Sequence, residues 1–315
     1  MSGQERSSLR VGWIGTGRMG FSMAKRLIEA GWSLSVYNRT RAKAEPLDAL
    51  GATVVDSPRD LAGCDVTFTM VSGPADLDQV VSGPQGILAD PSRTPRIHVD
   101  CSSVSTEGSA KVREDLAARG AAMIAAPVSG NAKVVEAGRL SIVASGPKPA
   151  FDEVLPLLEA VGEGVTWVGE GELARMVKIC HNMLLGVVTQ SLAEITVLAE
   201  KGGVPRHAFL DFINKSVMGS MFTRYKTPAF VNLDWKPTFT PGLLKKDLDL
   251  GLAAGRELGV PQPLTALTRE IVQSLIGNGY REKDFGTLLE LQATASGLKL
   301  EPENVEVGDG LKKKG

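Results

Sequence analysis

Along the first half of the chain, short apolar runs alternate with segments whose apolar residues recur at helical spacing. Residues 11–14 form a run of strand length that leads into Gly15. Residues 18–30 follow with amphipathic helical spacing and stop at Gly31, a residue type that commonly ends helices. Residues 34–37, 53–55, 66–71 and 97–99 repeat the strand pattern, with helical segments over 42–50, 76–81 and 105–119 between them. Strands alternating with helices predict βαβ units and a parallel sheet. Residues 122–125 and 140–144 extend the pattern, which ends near 166–168.

From about residue 171 the character changes. Residues 172–200 hold no proline and one interior glycine, Gly186, and are apolar on nearly every side. A helix that is hydrophobic all round is buried. At ~1.5 Å per residue it would exceed ~40 Å, enough to bridge two domains. After Gly202 and Gly203 the pattern is all-helical, over 206–215, 243–258, 263–277 and 285–295. The expected organisation is an α/β domain over 1–170, an interdomain helix over 171–200 and a helical domain over 201–300. The tail, 301–315, has little to bury and is expected to be disordered.

Length and charge narrow the function. A chain of 315 residues suits about two domains. Its formal net charge of −1 offers no field to draw nucleic acid or an anionic membrane, so neither is an expected partner. The three cysteines, Cys64, Cys101 and Cys180, cannot all pair, and no Cys/His cluster has zinc spacing; no metal is expected. Reduced thiols fit a cytoplasmic protein. The opening MSGQERSSLR has no apolar core of a secretory signal. Arg175, Lys178 and Glu194 interrupt the longest apolar segment and argue against a membrane span.

The first strand–helix junction reads Gly15-Thr16-Gly17-Arg18-Met19-Gly20. Gly15 suits a tight turn, Gly17 a close approach of backbone to a pyrophosphate, and Gly20 the packing of helix on strand. The helix N-terminus adds N–H donors and a positive dipole. Three glycines alone are weak evidence, but their place at the first β–α junction points to a dinucleotide. The second strand ends Asn38-Arg39-Thr40. A carboxylate that would accept from a ribose 2′-OH is missing there, and Arg39 suits a 2′-phosphate, so NADP(H) is expected over NAD(H).

Lys178 lies inside the long apolar segment, with Asn182 four residues on and so on the same helical face. Such a pair is most often a solvated stripe. An unpaired buried cation is costly, however, so a lysine in these surroundings should face a cleft. Beside a nicotinamide it would protonate a carbonyl oxygen as hydride arrives, with Asn182 orienting lysine or substrate. Ser129-Gly130-Asn131 follows Ala126-Pro127-Val128 at a strand end, where backbone N–H groups suit a substrate carboxylate.

Together these motifs resemble the β-hydroxyacid dehydrogenase family over roughly residues 10–298. The likeness implies a Rossmann-type parallel sheet, a long interdomain helix and an all-helical C-terminal domain. The glycine loop matches, as does the family's Asp-x-Ser-(Ser/Thr) segment at Asp100-Cys101-Ser102-Ser103. The substrate-clamp motif matches from Ala126 to Gly130, the Lys-x-x-x-Asn pair at Lys178 and Asn182, and a late Lys-Asp-Leu at Lys246-Asp247-Leu248 after Phe239. By that likeness Lys178 is the general acid/base, and Ser129, Gly130 and Asn182 bind substrate. Val71 and Ser72 line the cofactor channel, and Ser103 and Lys246 contact the nicotinamide end. The implied activity is hydride transfer between NADP(H), with NAD(H) as the alternative, and a small carboxylate-bearing β-hydroxyacid or its semialdehyde.

Two departures bear on the substrate. Asn131 replaces the second glycine of the clamp, a position where Asn tolerates a left-handed backbone. His181 replaces an asparagine just before Asn182. Alternative readings are a reductase of another carbonyl or an imine, and a catalytically silent dinucleotide-binding protein. Lys178 argues against the imine reading, and the intact motifs against the silent one. The apolar helices exceed what one monomer core needs, so a homodimer or homotetramer is expected.

Overall fold

The computed structural model describes residues 9–311. The chain divides by its packing into two units, Met1–Lys178 and Ile179–Gly315. The expectations about a leader at the N-terminus and about residues 312–315 lie outside the described residues.

The first unit is built on a parallel sheet of six strands, β1 (Arg10–Ile14), β2 (Ser33–Tyr37), β3 (Thr53–Val54), β4 (Val66–Thr69), β5 (Ile97–Asp100) and β6 (Ala122–Ala125). Their order is β3-β2-β1-β4-β5-β6. Helices α1 (Arg18–Glu29), α2 (Pro74–Val81) and α3 (Thr106–Ala117) follow β1, β4 and β5. The order reverses between β1 and β4, and in such sheets ligands bind off the strand ends at that point. Strands β4 and β5 show why. Val66, Phe68, Ile97 and Val99 alternate with Thr67, Thr69, His98 and Asp100, yet all eight are buried. Successive side chains point to opposite faces, so one face is apolar and the other carries a buried polar row. On the apolar side the Phe68 ring stacks on Trp13 at 5.3 Å.

Two expectations need correction here. Residues 42–50 form two short 3₁₀ segments, Arg41–Lys43 and Glu45–Leu50, in place of one helix. Pro46 lacks the N–H that a continuous helix would use. The runs at 140–144 and 166–168 do not extend the main sheet. They belong to a second sheet of β7 (Val128–Ser129), β8 (Ser141–Ala144) and β9 (Gly164–Trp167), with β7 antiparallel to β8. Pro127 cannot donate to a ladder beyond β6. The chain then turns at Gly130 through α4 (Ala132–Glu136), and α5 (Lys148–Val161) connects β8 to β9.

Helix α6 (Leu173–Lys201) runs through the unit boundary, its first six residues belonging to the first unit. The second unit continues with α7 (Arg206–Lys215), α8 (Met221–Asn232), α9 (Pro241–Leu258), α10 (Pro263–Leu275) and α11 (Leu288–Ala295). Its core includes Leu192, Val197, Phe230, Leu244, Leu248 and Leu288. A Cβ at Gly186 would lie 3.2 Å from Leu248 and 3.3 Å from Leu244, so the glycine lets α6 and α9 approach. Helix α8 has no counterpart among the expected segments. Ser220 caps it, accepting from Thr223 N at 3.1 Å, and Pro228 inside it masks the helical pattern.

Helix α6 is not buried all round. Leu184, Ile195 and Leu198 are exposed, because the core of the unit reaches only part of its circumference. By length and composition alone α6 could cross a membrane, although Leu192, Ala193 and Val197 pack inside the helical core. The tail is also corrected. Over its described residues, 301–311, it is anchored by polar contacts that a search for apolar mass misses. Glu303 accepts from Arg206 N at 2.7 Å and His207 N at 2.9 Å, Arg206 Nη2 donates to Glu301 O, and Asn232 pairs with the Val305 backbone at 3.0 and 3.2 Å.

Candidate active site

The glycine loop is held from three sides. Gly15 N donates to Tyr37 O at 2.9 Å, and Trp13 Nε1 donates to Gly15 O at 2.9 Å. Thr16 N donates to Asn38 Oδ1 at 2.9 Å, while Asn38 Nδ2 reaches Thr40 O at 2.9 Å. Asn38 thus ties the loop to the end of β2. Gly15 has φ +95°, and a Cβ on it would lie 2.2 Å from Met70 O; one on Gly20 would lie 1.9 Å from Gly15 O. These two glycines serve the fold. Gly17 differs, since a Cβ there meets nothing within 4 Å.

That open space lies at the N-terminus of α1, whose first turn, with Arg18, Met19 and Gly20, has no capping side chain and no acidic residue. Uncapped N–H groups with the dipole behind them suit an anion. The Thr16 hydroxyl is buried without a hydrogen-bond partner. These observations fit a dinucleotide pyrophosphate. Arg39 is exposed beyond β2 and pairs with Asp76 at 3.1 Å, Nη1 to Oδ1.

The loops after β4 and β5 are joined. Val71 N donates to Ser102 Oγ at 2.9 Å, and Ser102 Oγ donates to Asp100 Oδ1 at 2.6 Å. Thr69 Oγ1 also donates to Asp100 Oδ1, at 2.6 Å. With its proton so used, Thr69 Oγ1 accepts from His98 Nε2 at 3.1 Å, which leaves Nδ1 to accept from Thr67 Oγ1 at 2.9 Å. Burial keeps this imidazole neutral, its pKa pushed down to about 4. Burial likewise pushes the Cys101 thiol up. Ser72 and Ser103 sit on these joined loops.

Asp100, Ser102 and Arg175 hold this region together, beyond the site residues that the sequence motifs single out. Their signals in the sequence are a charged residue opening an apolar helix and the Asp-x-Ser segment itself.

In the clamp segment, Val128 and Ser129 pair with Ile142 and Ser141 across β7 and β8. Gly130 takes the positive φ, +141°, and a Cβ on it would press Val134 at 2.8 Å and Leu140 at 2.9 Å. Asn131 therefore needs no left-handed backbone. It is extended, with φ −127° and ψ −179°, and caps α4 by accepting from Val134 N at 3.2 Å. The substitution supplies a helix cap.

Lys178 and Asn182 lie one turn apart on α6, half-buried and buried respectively. Asn182 Nδ2 donates to Asp247 Oδ2 at 2.6 Å. The carboxylate fixes the amide orientation, so Asn182 Oδ1 faces His181 Nδ1 at 3.0 Å and that nitrogen is the donor. Lys246 Nζ lies 3.5 Å from Asp247 Oδ1, and the residue lines a cavity of about 500 Å³ together with Lys245 and Arg281. Lys178 and the 129–131 segment belong to the first unit, Asn182 and Lys246 to the second. Among the described residues no group of three or more His, Cys, Asp or Glu could hold a metal.

A doubly wound dinucleotide unit, followed by a helix that carries a lysine and a pinned asparagine, defines a nicotinamide-dependent oxidoreductase. Residues 10–169 match the model of the NAD-binding domain of 6-phosphogluconate dehydrogenase. Residues 172–292 match that of the NAD-binding domain of NADP-dependent 3-hydroxyisobutyrate dehydrogenase. The chain is 31% identical to 2-(hydroxymethyl)glutarate dehydrogenase of Eubacterium barkeri over 93% of its length and 98% of that protein. It is 30% identical to glyoxylate/succinic semialdehyde reductase 1 of Arabidopsis thaliana, over 90% and 98%. The 3-hydroxyisobutyrate dehydrogenase of Salmonella typhimurium superposes with a TM-score of 0.80 at 27% identity, over 90% of this chain and 99% of that one. The chain belongs to the β-hydroxyacid dehydrogenase family and is an NAD(P)-dependent oxidoreductase acting on CH–OH groups.

Proposed function

We propose that the protein prefers NADP(H) and interconverts a small β-hydroxyacid with its semialdehyde or ketone, Lys178 moving the proton. The observation that carries this reading is the placement of Lys178 one helical turn before an asparagine whose amide is pinned by Asp247. Bound NADPH supplies the hydride to the carbonyl carbon. In reduction the Lys178 ammonium gives its proton to the carbonyl oxygen, and in oxidation the neutral amine takes it back. Ser129, Gly130 and Asn131, in the same unit as Lys178, hold the substrate carboxylate. The names of the relatives support this substrate class, with glyoxylate and succinic semialdehyde among the acids they carry.

Neutral Asn38 and the exposed Arg39 support the cofactor preference. The pair Arg39 makes with Asp76 is solvent-exposed, so exchange for a 2′-phosphate costs little. Psf3, solved in complex with NADP+ and 2-OPP, superposes with a TM-score of 0.79 at 26% identity over 89% of this chain and 99% of that one. For the assembly we propose a homodimer or homotetramer, supported by the exposed Leu184, Ile195 and Leu198 on α6.

The test is initial rates of NADPH and NADH oxidation with glyoxylate, succinic semialdehyde, methylmalonate semialdehyde and tartronate semialdehyde. Lys178→Ala should cut turnover by about 10²-fold or more, with NADPH binding retained. Near-normal turnover in that variant refutes the mechanism.

A further inference from the structure

Arg175 sits in the first turn of α6, three residues before Lys178, and is only 2% exposed. Its guanidinium makes three directed contacts. Nη2 donates to Asp100 Oδ2 at 2.5 Å, Nη1 to Ser102 O at 2.5 Å, and Nε to Ser109 Oγ at 3.2 Å. Asp100 is fully buried, and its other oxygen takes Thr69 Oγ1, Ser102 Oγ and Ser102 N. Ser102 Oγ in turn accepts from Val71 N. One side chain of α6 therefore ties that helix to the loop after β5 and, through Ser102, to the loop after β4. Glu172 backs the arrangement, its Oε1 2.7 Å from Arg113 Nε and its Oε2 3.8 Å from Arg175 Nε.

Stability alone is a poor reason for this pair. Removing two charges from water offsets most of their attraction, and apolar replacements of buried ion pairs are often neutral. What an apolar pair cannot reproduce is direction. The planar fork of Arg175 fixes the first turn of α6, which lies in the first unit, against the Asp100–Ser103 loop. Any rotation or slide of the helix carries Lys178 with it.

We propose that Arg175 is a positioning residue, holding Lys178 in register with the loops that flank the nicotinamide through its fork onto Asp100 and Ser102. The proposal rests on the catalytic reading of Lys178. Arg175 is almost fully buried and spent on Asp100, Ser102 and Ser109, so it acts through Lys178. It sets where the ammonium stands, and a misplacement of about 1 Å at a reacting group costs on the order of 10²-fold in rate.

The experiment compares wild type, Lys178→Ala, Arg175→Met, Arg175→Lys and the double variant Asp100→Asn/Arg175→Met. Arg175→Met strands the Asp100 charge and lowers Tm. The double variant removes both charges, and its Tm returns toward wild type. Its kcat stays about 10²-fold down, while NADPH Kd and substrate KM stay within about threefold. Arg175→Lys keeps the charge without the fork and falls between the two in kcat, so the proposal stays testable if the double variant does not fold.

Wild-type kcat in the double variant, or in Arg175→Lys, overturns the positioning role. If in that case wild type is active and Lys178→Ala is dead, the catalytic reading stands and only this inference falls. A wild type silent on every carbonyl acid, or a fully active Lys178→Ala, brings both down.

Discussion

Replacing Gly17 by alanine separates what the glycine loop does for the fold from what it does for the cofactor. A methyl at Gly17 touches nothing within 4 Å, and the backbone there, at φ −68° and ψ −171°, is open to any residue. Folding should therefore tolerate the change, and loss of glycine's freedom in the unfolded chain should stabilise the protein by about 0.4–1 kcal/mol. The methyl occupies the open space above the uncapped first turn of α1, where a pyrophosphate must come close. Losing one charge-assisted hydrogen bond there costs about 1.5–3 kcal/mol, or roughly 10- to 150-fold in NADPH Kd. Gly15→Ala and Gly20→Ala are the contrast. Their methyls would stand 2.2 Å from Met70 O and 1.9 Å from Gly15 O, so both should lose stability.

Urea unfolding gives the stability arm, and nucleotide fluorescence titration the affinity arm. Gly17→Ala should hold its midpoint and lose cofactor. If it binds NADPH as wild type does, the pyrophosphate does not sit on this turn. If it unfolds like the other two, the distinction between fold and cofactor glycines is wrong.

Arg39→Ala should lower kcat/KM for NADPH by about tenfold and leave that for NADH unchanged, since only the 2′-phosphate loses a partner; equal losses with both cofactors would refute the assignment. His98 makes acid pH costly. Its pKa in the fold, about 4, lies below the ordinary 6.5, so below pH 6.5 the unfolded chain binds the proton that the folded one refuses. Stability therefore falls as pH drops from about 6.5 toward 4, by about 2 kcal/mol between pH 7 and 5, and His98→Asn should flatten that slope in urea titrations. Leu184→Glu/Leu198→Glu places charges on the exposed face of α6 and should lower the mass seen by light scattering; an unchanged mass would move the proposed interface elsewhere.

The parts of this molecule that could be read from the sequence are those whose physics is local. Gly20 announces itself because a Cβ there would strike Gly15 O five residues back, and Gly15 through its place in the same motif, although its own clash is with Met70 O on the neighbouring strand's end. The β–α alternation is visible for the same reason: side-chain periodicity is set residue by residue. What escaped depends on partners distant in the chain. Nothing around Arg175 names Asp100, and nothing around Glu303 names Arg206, although both pairs decide where a segment lies. Helix α6 reads as apolar on every side, but which sides stay exposed depends on where α9 meets it at Gly186.

Asn131 shows how even a local signal can be assigned one residue off. The turn requires one positive φ, Gly130 meets it, and the asparagine is then free to cap α4. The departure from the family's glycine is accommodated without strain, and its effect on the substrate must come through its side chain. Its Oδ1 is already engaged by Val134 N, so on the proposed reading of 129–131 as the carboxylate clamp Asn131 stands as a fixed wall and not as a mobile arm. On that reading, substrate choice should respond to the size of the group beside the carboxylate.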